Sequence, residues 1–426
     1  MNPLIQLKKA TLVFLVGLGL ACFGPSPLVQ AVGPPPDGGY FGANTAEGGA
    51  GALFSLTTGS NNTALGSQAL FSLTTGMQNT ATGAQALKNN RSSQNTADGF
   101  QALVSNTIGS ANTATGWRAL FQNTAGAGNT ATGYSALLFN DSGGSGNASS
   151  NSAFGSYALL SNTDGFQNSA FGSEALESNT TGNSNTAVGL QALANNTTGF
   201  GNSAIGWGAL SFNTAGQLNT AVGQNALEGS SGNENTALGE GAGALVTTAN
   251  NVICIGANAV GENLSNSCYI GNIFGQTCTG GASVFVNGAG KLGTTTSSRR
   301  FKDDIKPMDK TSEAILALKP VTFRYKKEID AAGTSQFGLV AEDVQKVNPD
   351  LVVRDKEGKP YSVRYDQVNS MLLNEFLKEY RKVEKLEATI VEQQKQIKTL
   401  TAVLEKVSAQ LEMSKPSPQM VINNAR

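Results

Sequence analysis

Histidine, the commonest general base and nitrogen ligand in proteins, is absent from this 426-residue chain. That excludes a Ser-His-Asp triad, a Cys-His dyad and any histidine-ligated zinc or haem site. A nucleophile here needs another base. Glycan hydrolysis needs two carboxylates facing one bond. The acids of the long N-terminal part (Asp98, Asp141, Asp164, Glu174, Glu177, Glu228, Glu234 and Glu240) fall singly at variable positions, as solvated surface residues do. Apart from Cys22, three cysteines remain: Cys254, Cys268 and Cys278. Cys268 and Cys278 are candidates for a disulfide in an oxidising compartment. All three fit equally well as small buried hydrophobes. Without histidine they are a weak metal signal, so no metal and no cofactor is expected. What remains is a run of hydroxyls and charges at Thr294–Ile305, TTTSSRRFKDDI.

That run lies at a junction between two kinds of sequence. Residues 1–296 carry 17 charged side chains, and residues 297–426 carry 42. The net charge of −1 offers no global field for nucleic acid or an anionic membrane. Most of the 51 glycines fall in the first part, at regular intervals. Met1–Ala31 has the form of a secretory signal peptide: Lys8 and Lys9, a 14-residue apolar run at Ala10–Phe23, Pro25 and Pro27, then Val29-Gln30-Ala31. The run is shorter than the ~20 residues of a membrane span. Cleavage after Ala31 and a secreted or cell-surface location, by bacterial Sec export, are expected. A retained anchor and lipidation of Cys22 are the alternatives.

The first part is a repeat. The unit N-[TS]-A-x-G-x-x-A-L starts at Asn62, Asn79, Asn95, Asn112, Asn129, Asn151, Asn168, Asn185, Asn202, Asn219 and Asn235. A looser copy starts at Asn44 and a degenerate one at Asn251. From Asn62 onward the starts are 16 or 17 residues apart, except for one interval of 22 with a Gly/Ser/Asn-rich insertion around Asn140–Ser150. Such a fixed period means a solenoid. Seventeen residues cannot hold two helices, and Asn, Thr, Ser and Gly are poor helix formers. Each period should be one coil of short strands and turns. Pairs such as Ala69-Leu70 and Ala192-Leu193 should point inward, glycines should take the turns with φ > 0, and the repeated Asn should stack into an amide ladder. Twelve coils at ~4.8 Å give a rod on the order of 60 Å long. Phe100, Trp117, Tyr134 and Trp207 share the slot after the glycine, where packing or chance explains them more simply than a ligand stripe does. Each coil buries two small apolar side chains against ~1–2 kcal/mol of backbone entropy per residue, so packing against identical chains is expected. Over roughly Ala43–Ala259 the repeats resemble the heads of trimeric bacterial adhesins. That resemblance implies left-handed parallel β-rolls packed three together.

Beyond the repeats, Ser283–Gly293 should form a β-hairpin turning at Asn287-Gly288. An amphipathic segment at Glu313–Leu318, a strand at Val321–Tyr325, a helix near Ala341–Val347 and a hairpin through Lys356–Pro360 make a small α+β unit. Ser297-Ser298-Arg299-Arg300-Phe301-Lys302 resembles the S-[DS]-x-R-x-K signature of endosialidase-type intramolecular chaperones, which end many phage tailspikes. Leu318-Lys319-Pro320, Phe323 and Tyr325, Phe337–Val344, Pro349-Asp350-Leu351-Val352 and Tyr365-Asp366 keep that family's order, and the resemblance covers about Ser297–Leu411. It implies a domain that trimerises the fibre ahead of it and then cuts itself off. Carried over, Ser297 attacks the carbonyl of Thr296, Lys302 takes the proton and Arg300 supports the loop. The resemblance thus implies at most a single-turnover autopeptidase, with no external substrate. A lysine acting as base needs burial or neighbouring cations such as Arg299 and Arg300. A serine and a lysine five residues apart occur by chance in most proteins, so the assignment rests on the resemblance. The alternatives are a domain that trimerises the fibre and stays attached, and a spike with a glycan-degrading shaft.

Val383, Leu386, Ile390, Gln393, Ile397, Leu400, Leu404, Val407 and Leu411 alternate steps of three and four, which is a heptad seam with one polar layer at Gln393. The a and d residues do not specify two strands. Three is expected because both other regions resemble trimeric families. The chain thus reads as a mostly β homotrimeric fibre, adhesin-like or tail-fibre-like. Its parts are a signal peptide 1–31, linker 32–42, β-solenoid shaft 43–260, connector 261–296, α+β chaperone domain 297–370, coiled-coil helix 371–414 and tail 415–426.

Overall fold

The computed structural model describes residues 41–48, 51–287 and 289–415. The signal peptide, Cys22 and the tail beyond Lys415 lie outside these. The chain divides into two compact units, at Thr277/Cys278.

The first unit is a parallel β-solenoid. Fourteen short strands, β1 (Thr45–Glu47) through β14 (Ser267–Ile270), stack in sequence order as one sheet, which makes thirteen turns. Neighbouring strands pair in phase: Thr186, Ala187 and Val188 lie against Ser203, Ala204 and Ile205. Alternation along each strand turns the middle alanine inward and the flanking residues outward. Columns of Ala and Leu, including Ala192, Leu193, Ala209 and Leu210, are fully buried in the narrow core.

The repeated Asn forms the expected ladder. In each step the side-chain oxygen of one Asn accepts from the backbone N–H of the Asn one coil on, and in most steps from its amide too; Asn202 gives Asn185 both, at 3.0 and 3.1 Å. The same amide also donates to Gly216 O at 2.8 Å. A second ladder runs beside it, from Asn90 through Asn106, Asn123, Asn140, Asn162, Asn179 and Asn196 to Asn213. Leu73 precedes this ladder, and Ser230 and Val246 follow it. At that end Asn213 Oδ1 is buried without a donor.

Most coils carry glycine in two slots and use them differently. Gly189 has φ +130°, and Cβ there would sit 2.6 Å from Gly206 O. Gly199 has no such φ; an ideal Cβ there would sit 2.5 Å from Gly216 O, yet Ser92, Ala148 and Ala249 fill the same slot in their coils, each accepting from the ladder Asn as Gly199 does. The left-handed turns are not left to glycine alone, as expected from sequence. Gln191 (φ 58°) and Leu193 (φ 53°) adopt them too, as do their counterparts in most coils. Gln191 N–H then bonds Ser173 O in the preceding coil, and Leu193 N–H bonds Ala209 O in the next. Ladder bonds to both neighbours offset the cost of that conformation in an L-residue.

In the second unit, β15 (Val284–Val286) pairs antiparallel with β16 (Leu292–Thr294). Asn287 Oδ1 accepts from the backbone of Ala289 and Lys291, and Val286 pairs with Leu292 across the reversal. A 3-10 segment (Asp309–Ala317), the pair β17 (Val321–Phe323) and β18 (Gln336–Gly338), α1 (Ala341–Val347), and the pair β19 (Val352–Arg354) and β20 (Pro360–Val363) follow. The 49-residue helix α2 (Tyr365–Met413) ends the described chain. Ile315, Val344, Leu351, Val352 and Val363 form a small core, joined by only Val368 and Met371 of α2. Ser312, fully buried, hydrogen-bonds Glu375 of α2 and accepts from Asn374 Nδ2 at 2.7 Å. Lys378 closes on Glu375 at 2.7 Å. Among the described residues no helix is long and apolar enough to cross a membrane.

Candidate functional site

Residues 299–301 form a single 3-10 turn directly after the extended Ser298. Phe301 N–H bonds Ser298 O and Lys302 N–H bonds Arg299 O, at 3.0 and 3.1 Å. This reversal folds Lys302 back on Ser297 and leaves Nζ 3.4 Å from Oγ, at the long edge of hydrogen bonding. The lysine is the donor in this contact, whereas a base must accept. Thr296, Ser297 and Lys302 are all exposed. The guanidinium of Arg300 lies 4.6 Å from the Phe301 ring centroid, a cation–π contact. Among the described residues it has no carboxylate partner.

The seam residues lie along α2, and the apolar ones from Val383 to Leu411 are 45–65% exposed. Gln393 is exposed in the same row. From Val383 to Leu411, at 1.5 Å per residue, the seam extends ~42 Å, with nothing among the described residues covering it.

The shaft's candidate groups resolve individually. Trp117 stacks on Tyr134 at 4.6 Å and 7°, Tyr134 meets Tyr157 edge-on at 5.3 Å, and Arg118 covers Trp117 at 4.5 Å. The faces of Trp117 and Tyr134 are thus taken up between coils, whereas Phe100 and Trp207 of the same slot are exposed, at 44% and 48%. Asp141 is not the solvated acid expected from sequence: it is fully buried. Its carboxylate accepts from the backbone of Ala125, Gly126 and Gly146 at 2.6–2.9 Å and from the hydroxyls of Thr124 and Ser145, anchoring the 22-residue coil. Burial, then the nearby charge of Glu174, raises the Glu177 carboxyl above the usual range. Gln191 holds Glu174 at 2.7 Å. Cys254, Cys268 and Cys278 are free thiols; Cys254 is buried, and Cys268 and Cys278 are exposed.

The second Asn ladder escaped the sequence reasoning. Its signal was an Asn three residues before the second glycine, as in Asn196 and Gly199, but Leu and Ser interrupt the pattern.

Residues 297–353 match the model of a peptidase family described as chaperone of endosialidase, and the match begins at Ser297 itself. No curated protein matches the chain. A β-solenoid shaft ahead of a chaperone-of-endosialidase region is the build of a fibre- or tailspike-like protein.

Proposed function

We propose that this chain is an exported homotrimeric fibre whose C-terminal unit assembles the trimer and then cleaves the Thr296–Ser297 bond. The observation that carries this reading is the family match that starts at Ser297, C-terminal to a solenoid whose core is narrow in each coil. A repetitive thread can slip by one repeat. The seam of α2 is not repetitive in that way and sets one register before the shafts associate.

Cleavage begins when Ser297 Oγ attacks the Thr296 carbonyl carbon. Lys302 takes the hydroxyl proton and returns it to the departing amide nitrogen. The Thr296–Ser297 peptide bond breaks and an ester forms on Oγ. Water hydrolyses the ester, leaving a carboxylate on Thr296 and a new N-terminus at Ser297. Only a neutral lysine accepts that proton, and burial is what favours the neutral form. In the single chain both groups are exposed, so assembly has to bury them and cleavage follows it. Arg300, held on Phe301, supports the turn that brings the pair together.

Intact mass of the wild-type chain beside Ser297→Ala and Lys302→Ala tests this. A break between Thr296 and Ser297 in the wild type alone is expected. An uncut wild type leaves the C-terminal unit as a permanent assembly cap and ends the Ser/Lys assignment.

A further inference from the structure

The outward residue that ends each shaft strand changes character halfway along the sheet. In the first six coils that column reads Glu47, Leu65, Thr82, Asp98, Thr115 and Thr132. From Phe154 through Phe171, Val188 and Ile205 to Ile270 every residue in it is apolar. In-phase pairing makes the column straight, and Phe154 stacks on Phe171 at 4.9 Å. Val222 is half-buried; the other seven are 37–50% exposed. Eight strands make a strip of ~34 Å. The parallel outward column is Ser or Thr from Ser152 to Thr236, short enough for another surface to approach closely.

Other outward columns are interrupted over the same coils. The slot after the glycine reads Ser156, Ser173, Leu190, Trp207, Gln224 and Glu240. Single exposed hydrophobes need no explanation, but an unbroken, uncharged strip on one face marks an interaction surface.

We propose that this strip is where the shaft packs against further copies of the same chain, and that self-association stops at the Thr132–Phe154 boundary. The inference rests on the oligomer proposed above and adds its shaft interface. A second copy is the occupant because the exposed α2 seam, in the reading proposed above, meets the same helix of identical chains. Chains joined in register by that seam carry identical columns at equal height. Apolar rows then meet apolar rows, whereas Glu47 and Asp98 would each meet their own charge, which opposes closure there. The first six coils thus stay unpaired on this face and free to present surface.

The test places the photocrosslinker p-benzoylphenylalanine in the full chain carrying Ser297→Ala, at Phe171, Phe166 or Thr115 in turn. Phe166 and Phe171 are equally exposed, but Phe166 lies outside β8 and outside the apolar column. Sedimentation of each sample gives its mass. Chain-to-chain crosslinks at Phe171, several-fold above those at Phe166 and Thr115, are expected in an oligomer. An oligomer that crosslinks as strongly at Phe166 or Thr115, or not at all at Phe171, overturns the strip while leaving the oligomer standing. A monomer overturns both.

Discussion

Replacing Asn185 with Ala cuts the first ladder in mid-shaft. Asn202 N–H, fully buried, loses its acceptor Asn185 Oδ1 at 3.0 Å. Asn202 Nδ2 keeps Gly216 O, and Gly199 O keeps Asn196 Nδ2, so one donor is orphaned outright. An orphaned buried donor costs about 1–3 kcal/mol, and the two bonds lost from Asn185 Nδ2 add about 0.5–1.5 each, giving about 2–6 kcal/mol in all. Asn195→Ala is the control. That side chain is exposed and makes one bond, to Ser211 O at 2.9 Å, so about 1.5 kcal/mol is its upper bound. Solenoids open locally rather than in one step, so native-state hydrogen exchange is the assay. Protection at Asn202 should fall by at least about 30-fold, the equivalent of 2 kcal/mol. An Asn185→Ala effect no larger than that of Asn195→Ala would refute the claim that the ladder holds the coils together.

Other outcomes follow from the same structure. Gly189→Ala sets a methyl 2.6 Å from Gly206 O at a backbone φ of +130° and should cost about 1–3 kcal/mol in native-state hydrogen exchange, whereas Gly229→Ala, with nothing within 4 Å, should stay within about 0.5 kcal/mol. Leu400→Glu puts like charges into the seam. Sedimentation should show loss of assembly, and intact mass should show loss of cleavage; a monomer that still cuts would separate burial of the dyad from assembly. Hydrogen bonds from Lys378 and then Ser312 hold the Glu375 carboxyl below its usual range. The stability this gives the α2 attachment is fully present above the ordinary glutamate value of ~4.3 and is lost as pH falls through the lowered folded value. Acid titration of the helical signal should show that loss, and Glu375→Gln should remove its pH dependence.

Much of the shaft was legible because its pattern is written into the spacing. The Asn, Ala and Leu columns follow from a 17-residue period and the alternation of strand side chains. Leu193 in a left-handed conformation was not legible, since intrinsic preference opposes it and only the bond of its N–H to Ala209 O in the next coil supports it. Asp141 looked like a surface acid because a sequence does not display the backbone N–H groups an insertion loop gathers round a carboxylate. At the C-terminal site the Ser297–Lys302 contact was suggested by the family signature, and the 3-10 turn gives its physical basis. The heptad spacing shows a seam, but mixed Val, Ile and Leu at its core positions do not by themselves fix how many helices meet.

Sedimentation equilibrium of the full chain carrying Ser297→Ala, which keeps both units joined, tests the central claim most directly. The account predicts the mass of three chains. A monomer at micromolar concentration would contradict it, leaving the α2 seam without its partner and the C-terminal unit without an assembly role.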